Sequence, residues 1–131
     1  MPDATLAKLM RLASDGESTE LRRAALKVLG SVGNGKAPVK LLIDTLQDPE
    51  QPLRIAALEA LGQLEAEEAL PHLEPFVRQG GPELEPAVHT ASMLGARGAR
   101  LMGKIMQEAS PSIKSRMAAV LARSNTGNAL V

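Results

Sequence analysis

The segment PLRIAALEALGQL, residues 52–64, carries the clearest hydrophobic pattern in the chain. Its apolar residues recur with the i, i+3, i+4, i+7 spacing that forms one stripe along an α-helix. The stripe consists of Leu53, Ala56, Ala57, Ala60, Leu61 and Leu64. Its three alanines leave little side-chain volume, so a second helix can approach closely. Because a single helix cannot bury such a stripe, the pattern predicts stacked copies of a helical unit.

Three other segments repeat this pattern, beginning at Leu21, Leu84 and Ile113, so that successive copies lie 32, 31 and 29 residues apart. A second apolar helix precedes each copy. We therefore predict an all-α fold, an α-α superhelix of four antiparallel helix pairs in a single domain over 1–131. The predicted units are 3–32, 36–64, 66–95 and 97–124, and 125–131 begin a truncated fifth unit or form a tail.

The third unit is predicted to be the least regular, because prolines interrupt both of its helices. Pro71 and Pro75 fall in its first helix, and Pro82 and Pro86 fall at the start of its second. A proline inside a helix removes a hydrogen bond and costs about 3 kcal/mol unless the helix kinks. We expect the first helix to be kinked or broken, and the second to begin at Pro86.

The repeated small residues should lie where helices approach most closely. These residues are Ala24, Ala25, Ala56, Ala57, Ala60 and Val88. The apolar face around Met117, Val120 and Leu121 should lack a following repeat to cover it. Large apolar patches rarely stay in water, so we expect self-association or partner binding through this C-terminal end.

Composition excludes several classes of function. The chain has 15 basic and 15 acidic residues, no Cys, Trp or Tyr, and Phe76 as its one aromatic residue. Zero net charge gives no electrostatic reason to bind nucleic acid or a membrane surface. Without cysteine, no disulfide framework or thiolate metal site can form. The chain has no apolar run of membrane-spanning length and no signal-peptide pattern, so we predict a cytoplasmic protein.

The helix pattern L-R-x-A-A-L-x-x-L-G, preceded by a helix ending in Asp48-Pro49, resembles the HEAT repeat. More narrowly, it resembles the short prokaryotic repeats called phycobilisome-lyase HEAT-like. In that family the aspartate ending the first helix and the arginine at the second position of the second helix tend to tie neighbouring repeats together. Asp15, Arg22 and Arg54 match these positions besides Asp48, whereas the second half of the chain has lost both residues.

The resemblance implies a non-catalytic scaffold that binds another protein, or the rest of a longer chain of which this is the N-terminal part. The second helix of each HEAT pair lines the concave face, so its outward positions are the candidate partner-binding residues. They are Arg23, Lys27, Ile55, Glu59, Gln63, Thr90 and Arg123. We predict no catalytic residue, no cofactor and no metal site.

The resemblance to HEAT-like repeats also suggests two other functions. A subunit of a bilin chromophore lyase is the alternative that the family's label suggests, although aromatic residues to stack on a tetrapyrrole are nearly absent. Alkylpurine DNA glycosylases also use HEAT-like stacks, but they would need a basic face with aromatic residues. His72 and His89 lie on different predicted helices. Glu85 is one turn from His89, yet no further histidine or cysteine could complete a metal site.

Overall fold

The computed structural model describes residues 3–124 as eight α-helices and one short 3-10 helix. No strand occurs in this part of the chain. The predicted all-α, HEAT-like class of packed helix pairs is therefore confirmed. The helices are α1 Asp3–Asp15, α2 Thr19–Val32, α3 Lys36–Thr45, α4 Gln51–Gln63, α5 Leu70–Gln79, α6 Leu84–Ser92, α7 Gly95–Glu108 and α8 Pro111–Ser124, with the 3-10 helix at Glu67–Ala69.

The chain divides into two compact units, Met1–Ala66 and Glu67–Val131. Unit 1 contains α1 to α4, and unit 2 contains the 3-10 helix and α5 to α8. Each unit thus holds two of the predicted helix pairs. The single domain over 1–131 stays a prediction, and the predicted fifth unit or tail at 125–131 lies outside the described residues.

Helix boundaries in unit 1 follow local chemistry. The hydroxyl of Ser18 caps α2 by accepting a hydrogen bond from the backbone N–H of Leu21 at 3.1 Å. Asp48 closes the turn before α4 by accepting from the N–H of Glu50 at 2.9 Å. Pro52 lies in the first turn of α4, where its missing N–H costs no helical hydrogen bond.

The core of unit 1 forms where α2 packs against α1 and α4. Its largest fully buried side chains are Leu26, Leu29, Leu42, Leu46, Leu53, Leu58 and Leu61. Helices α2 and α4 are in close contact at Gly30, where an added Cβ would lie 2.8 Å from the Cα of Ala60. This contact explains the need for small residues at both positions.

The predicted close contacts are buried with one exception. Ala25, Ala56, Ala57, Ala60 and Val88 are all buried. Ala24 is exposed, so its assignment was wrong. Its helix face is shared with Val28, which lies nearly opposite Gly30 and therefore opposite α4.

Unit 2 is organised around α6, which packs against α5, α7 and α8. Its core includes the fully buried side chains of Leu73, Leu84, Met102, Ile105 and Met117. At the start of α7, Gly98 lies directly against α6, and an added Cβ would be 2.0 Å from the carbonyl oxygen of Ala91.

The prolines interrupt the third predicted unit less than expected. The first element is divided into a 3-10 helix and α5, but the division comes before Leu70, and α5 continues through Pro75. The missing N–H of Pro75 removes one hydrogen bond, to the carbonyl of Pro71 in the first turn. Helix α6 begins at Leu84 rather than at Pro86, because a proline in the first turn lacks only an N–H that has no helical acceptor.

The predicted uncovered patch on α8 was also wrong. Met117 and Val120 are buried and Leu121 is half-buried, because α8 packs this face against α6. Among the described residues, the large apolar side chains that remain exposed lie elsewhere. They are Leu21, Val28, Val32 and Met93.

Candidate functional site

Two rows of outward side chains lie next to each other in unit 1. Helix α2 contributes Arg23 and Lys27, which are four residues apart, and α4 contributes Ile55, Glu59 and Gln63, also spaced by four. Lys27, Glu59 and Gln63 are exposed, while Arg23 and Ile55 are half-buried. We call these five residues the polar face of unit 1.

The polar face owes its continuity to the close packing of α2 on α4. A Cβ added to Gly30 would lie 2.4 Å from Oε1 of Gln63, so the α4 row reaches over the backbone of α2. The α2 row carries two cations. The α4 row carries one carboxylate, one amide and the half-buried Ile55. This mixture suits recognition of another polypeptide through charge and a small apolar contact.

An ion pair on the side of α2 that faces α1 and α3 ties α2 to the turn before α4. The Nη2 atom of Arg22 lies 2.8 Å from Oδ2 of Asp48, and its Nε donates to the carbonyl of Ala13 at 2.9 Å. Arg54 donates to the carbonyls of Asp48 and Pro49 at 2.9 and 3.0 Å. The resemblance to HEAT repeats implied this role for the Asp and Arg residues, and the contact between Arg22 and Asp48 joins the two helix pairs.

The charges around Asp48 lower its pKa. Burial of the carboxyl is the largest influence and works in the opposite direction, toward a higher pKa. The backbone hydrogen bond from Glu50, the hydrogen bond and charge of Arg22, and the charge of Arg54 together outweigh it. The Asp48 carboxylate therefore stays ionised at a lower pH than an ordinary aspartate does.

Unit 2 places the remaining two candidates differently. Arg123 is exposed on α8 as expected, but Thr90 is fully buried, so its prediction as an outward residue was wrong. Helix α6 is packed on three sides, and little of its circumference stays in contact with solvent. His89 and Met93 are the exposed residues of this region, and they sit where the template has the buried Leu58 and Gly62. The repeat alignment alone could not reveal this change.

A different arginine ties the helix pairs of unit 2. Arg116 on α8 binds both carboxylate oxygens of Glu85 at 2.7 Å and donates to the carbonyls of Gly80 and Gly81, the latter at 2.9 Å. The hydrogen bond from Arg116 is the main cause of a lowered pKa for Glu85. No signature residue marks this pair in the sequence, because Arg116 replaces an alanine of the first two repeats.

An open groove borders these elements in unit 1. The groove between α1, α2 and α3 has a volume of about 460 Å³ and is bordered by Met10, Leu41 and the Arg22–Asp48 pair. Within residues 3–124, no group of three or more His, Asp or Glu side chains could hold a metal ion. In the same range, no helix is long and apolar enough to cross a membrane.

Comparisons with known proteins agree with this architecture. A family model described as HEAT repeats matches residues 6–92. A HEAT repeat-containing taxis protein of Halobacterium salinarum is 30% identical over 140 aligned positions, which cover 88% of this chain and 34% of that protein. The chain thus spans about a third of the length of the curated relative it matches. A search of solved structures gave no match. With two thirds of its length matched by the family model and its helix pairs packed accordingly, the chain belongs to the HEAT repeat family.

Proposed function

We propose that this chain is a non-catalytic protein-interaction scaffold and that the polar face of unit 1 contacts its partner. The observation that supports this proposal is the alignment of two rows of outward side chains at equivalent repeat positions on α2 and α4. The Arg22–Asp48 pair and the Gly30 contact hold α2 against α4 and against the turn before it. A preorganised surface of this kind loses little entropy when it binds.

The chemistry of the face indicates the kind of partner. Arg23 and Lys27 would attract acidic side chains, and the half-buried Ile55 would accept a small apolar one. We therefore propose a partner segment, from another protein or from the rest of a longer chain, that combines acidic and aliphatic residues. Because the relative is named a taxis protein, we propose that the partner of this chain is a taxis component.

Charge reversal tests the proposal. The double variant Arg23→Glu, Lys27→Glu should reduce partner affinity at least tenfold, equivalent to about 1.4 kcal/mol, in titration calorimetry with a partner identified by crosslinking. A photo-crosslinker at position 59 supplies that identification. The matched control is Lys8→Glu, Lys104→Glu, which reverses two exposed cations on α1 and α7. Unchanged affinity in the first variant, with its helix content intact, would rule out the polar face.

The bilin lyase subunit stays the alternative prediction for the function of this chain. A bilin lyase subunit would bind a tetrapyrrole, and Phe76 is the one aromatic side chain in the sequence that could stack on it. A shift in the absorbance of a bilin on mixing with the chain would favour that alternative. The cytoplasmic location also stays a prediction and needs imaging of the tagged protein in its host.

A further inference from the structure

An apolar stripe on α2 remains exposed in unit 1. Leu21, Val28 and Val32 are 40%, 42% and 41% exposed, and Ala24 between them is exposed as well. Their spacing of three and four residues places them on one side of the helix. We call these four residues the α2 stripe. It lies beside the polar face and shares no residue with it.

The repeat period indicates what kind of surface the α2 stripe fits. At the spacing of 32 residues, Leu21, Ala24 and Val28 correspond to Leu53, Ala56 and Ala60 on α4. Those α4 residues are 0%, 2% and 1% exposed, and Ala60 lies against Gly30 of α2. In unit 1, α4 thus docks onto α2 through these residues. The α2 stripe is the exposed counterpart of that docking surface.

The surface that receives the α4 stripe has its own counterpart on α8. On α2 that surface includes Leu26 and Gly30, four residues apart. The residues at the equivalent positions of the fourth repeat, after spacings of 32, 31 and 29 residues, are Ala118 and Ala122 of α8. Both are exposed. A single chain therefore presents a docking stripe on α2 and a small-residue receiving face on α8.

Charges at the two surfaces are complementary in the same way. The Arg22–Asp48 pair joins the two helix pairs of unit 1 at 2.8 Å. The residue equivalent to Arg22 on α8 is Lys114, and Asp15 ends α1 as the signature aspartate of the first repeat; both are exposed. Docking of α2 on the α8 of another copy brings Asp15 toward Lys114 as Asp48 is brought toward Arg22.

We propose that a second copy of this chain covers the α2 stripe, with its α8 face of Ala118 and Ala122. The contact is head-to-tail, so each copy keeps one stripe and one receiving face unused, and the assembly grows beyond a dimer as concentration rises. Val28 against Ala122 is a bulkier pair than Ala60 against Gly30, so these helices lie farther apart than α2 and α4. The proposal concerns a surface separate from the polar face and does not depend on it.

Sedimentation velocity of the full chain over a dilution series tests the proposal. The weight-average sedimentation coefficient should rise with concentration, and Val28→Asp and Ala118→Asp should each abolish the rise. Ala99→Asp is the matched control, because Ala99 is exposed on α7 and belongs to neither surface; it should leave the rise unchanged. Circular dichroism checks that each variant keeps its helix content.

Mixing distinguishes head-to-tail docking from a symmetric dimer. Val28→Asp keeps a working α8 face and Ala118→Asp keeps a working stripe, so an equimolar mixture should form dimers and nothing larger. Asp15→Lys should weaken association of the wild-type surfaces, and adding Lys114→Asp should restore it. A wild-type chain that stays monomeric overturns the proposal. The proposal is also overturned if Val28→Asp abolishes association and Ala118→Asp does not, since that result indicates that α2 pairs with α2 of the other copy.

Discussion

The two units both use an arginine to join their helix pairs, but the arginine reaches in opposite directions along the chain. In unit 1, Arg22 on the earlier second helix reaches forward to Asp48, in the turn that precedes α4. In unit 2, Arg116 on the later second helix reaches back to the turn between α5 and α6 and to Glu85. Each arginine thereby fixes one second helix to a turn of the neighbouring pair.

This difference shows that the tie between repeats can be kept while its signature residues change. Arg116 occupies the position at which the first two repeats have Ala24 and Ala56. The signature position itself holds Glu85 in the third repeat, and Glu85 has become the acceptor. The loss of the family residues in the second half thus accompanies a reversed arrangement of donor and acceptor.

The two ties also differ in burial. The side chains of Arg22 and Asp48 are 22% and 14% exposed, whereas those of Arg116 and Glu85 are 33% and 40% exposed. Solvent screens the pair in unit 2 more strongly. Removing a partner from the less exposed pair leaves its charge less solvated, so unit 1 should depend more on its arginine.

The largest expected effect concerns a glycine at a close helix contact in each unit. Gly98→Ala places a Cβ 2.0 Å from the carbonyl of Ala91, and Gly30→Ala places one 2.8 Å from the Cα of Ala60. We expect losses in the free energy of unfolding of about 3 kcal/mol for Gly98→Ala and about 1–2 kcal/mol for Gly30→Ala, by urea denaturation.

The matched control for these variants is Gly103→Ala, also in α7, where no atom lies within 4 Å of the added Cβ. It should stabilise the protein by up to about 1 kcal/mol through helix propensity alone. If Gly98→Ala behaved like Gly103→Ala, the tight contact between α6 and α7 would not exist.

Truncating the two arginines measures the difference in burial directly. Arg22→Ala should cost about 2 kcal/mol in the free energy of unfolding, and Arg116→Ala should cost clearly less because solvent screens its pair. Lys40→Ala is the control, because Lys40 and its partner Asp44 are 82% and 69% exposed, and its effect should stay below about 0.5 kcal/mol. Equal losses for the two arginines would contradict the argument from burial.

Acid should weaken both ties, because the pKa values of Asp48 and Glu85 are lower in the folded chain than their ordinary 3.8 and 4.5. A lowered folded pKa gives stability that is complete above the ordinary pKa and is lost as the pH falls through the folded value. Urea denaturation should therefore show constant contributions from these groups near neutrality and a decline below those values.

Substitutions in the Arg22–Asp48 pair test whether this pair causes that decline in stability. Asp48→Asn should make the fall in stability with acid shallower, and Arg22→Ala should do the same, because it removes a charge and a hydrogen bond that lower the pKa of Asp48. An acid dependence identical to that of the wild type in both variants would show that this pair does not contribute to it.

Local patterns predicted the helices well, because caps and apolar periodicity are written in neighbouring residues. Ser18 accepts from the N–H of Leu21 at the start of α2, and Ser110 accepts from the N–H of Ile113 at the start of α8. Periodicity also identified the buried alanines of α4. What it could not supply is whether another helix lies over a given stripe.

That missing information explains each error in the candidate surfaces. Ala24 shares the stripe pattern of Ala56 but has no helix against it, whereas Met117 and Val120 are covered by α6. Thr90 aligned with the exposed Glu59, yet α6 is packed on three sides and buries it. The Arg116–Glu85 pair was missed because its partners are 31 residues apart and match no signature.

The smallest expected effect compares how a helix ends in each unit. The turn after α4 contains Glu65 at φ 52°, and α5 is followed by Gly80 at φ 70°, both in the left-handed region that glycine favours. The N–H of Ala66 bonds the carbonyl of Leu61 and that of Glu65 bonds the carbonyl of Gly62, each at 3.0 Å, which fixes the left-handed conformation at Glu65.

Exchanging these residues should change stability in opposite directions. Glu65→Gly removes a left-handed strain of about 1–2 kcal/mol but increases the entropy of the unfolded chain by about 0.5–1 kcal/mol, so we expect a net gain below about 1 kcal/mol. Gly80→Ala should lower the free energy of unfolding by about 1 kcal/mol, because alanine is strained at a positive φ. The loss should not be larger, because the added Cβ would lie 3.4 Å from Ile113 without a clash. Thermal denaturation of both variants measures the two shifts. A loss of stability in Glu65→Gly would mean that the glutamate side chain contributes more than its backbone conformation costs, and the ends of α4 and α5 would then be stabilised by different interactions.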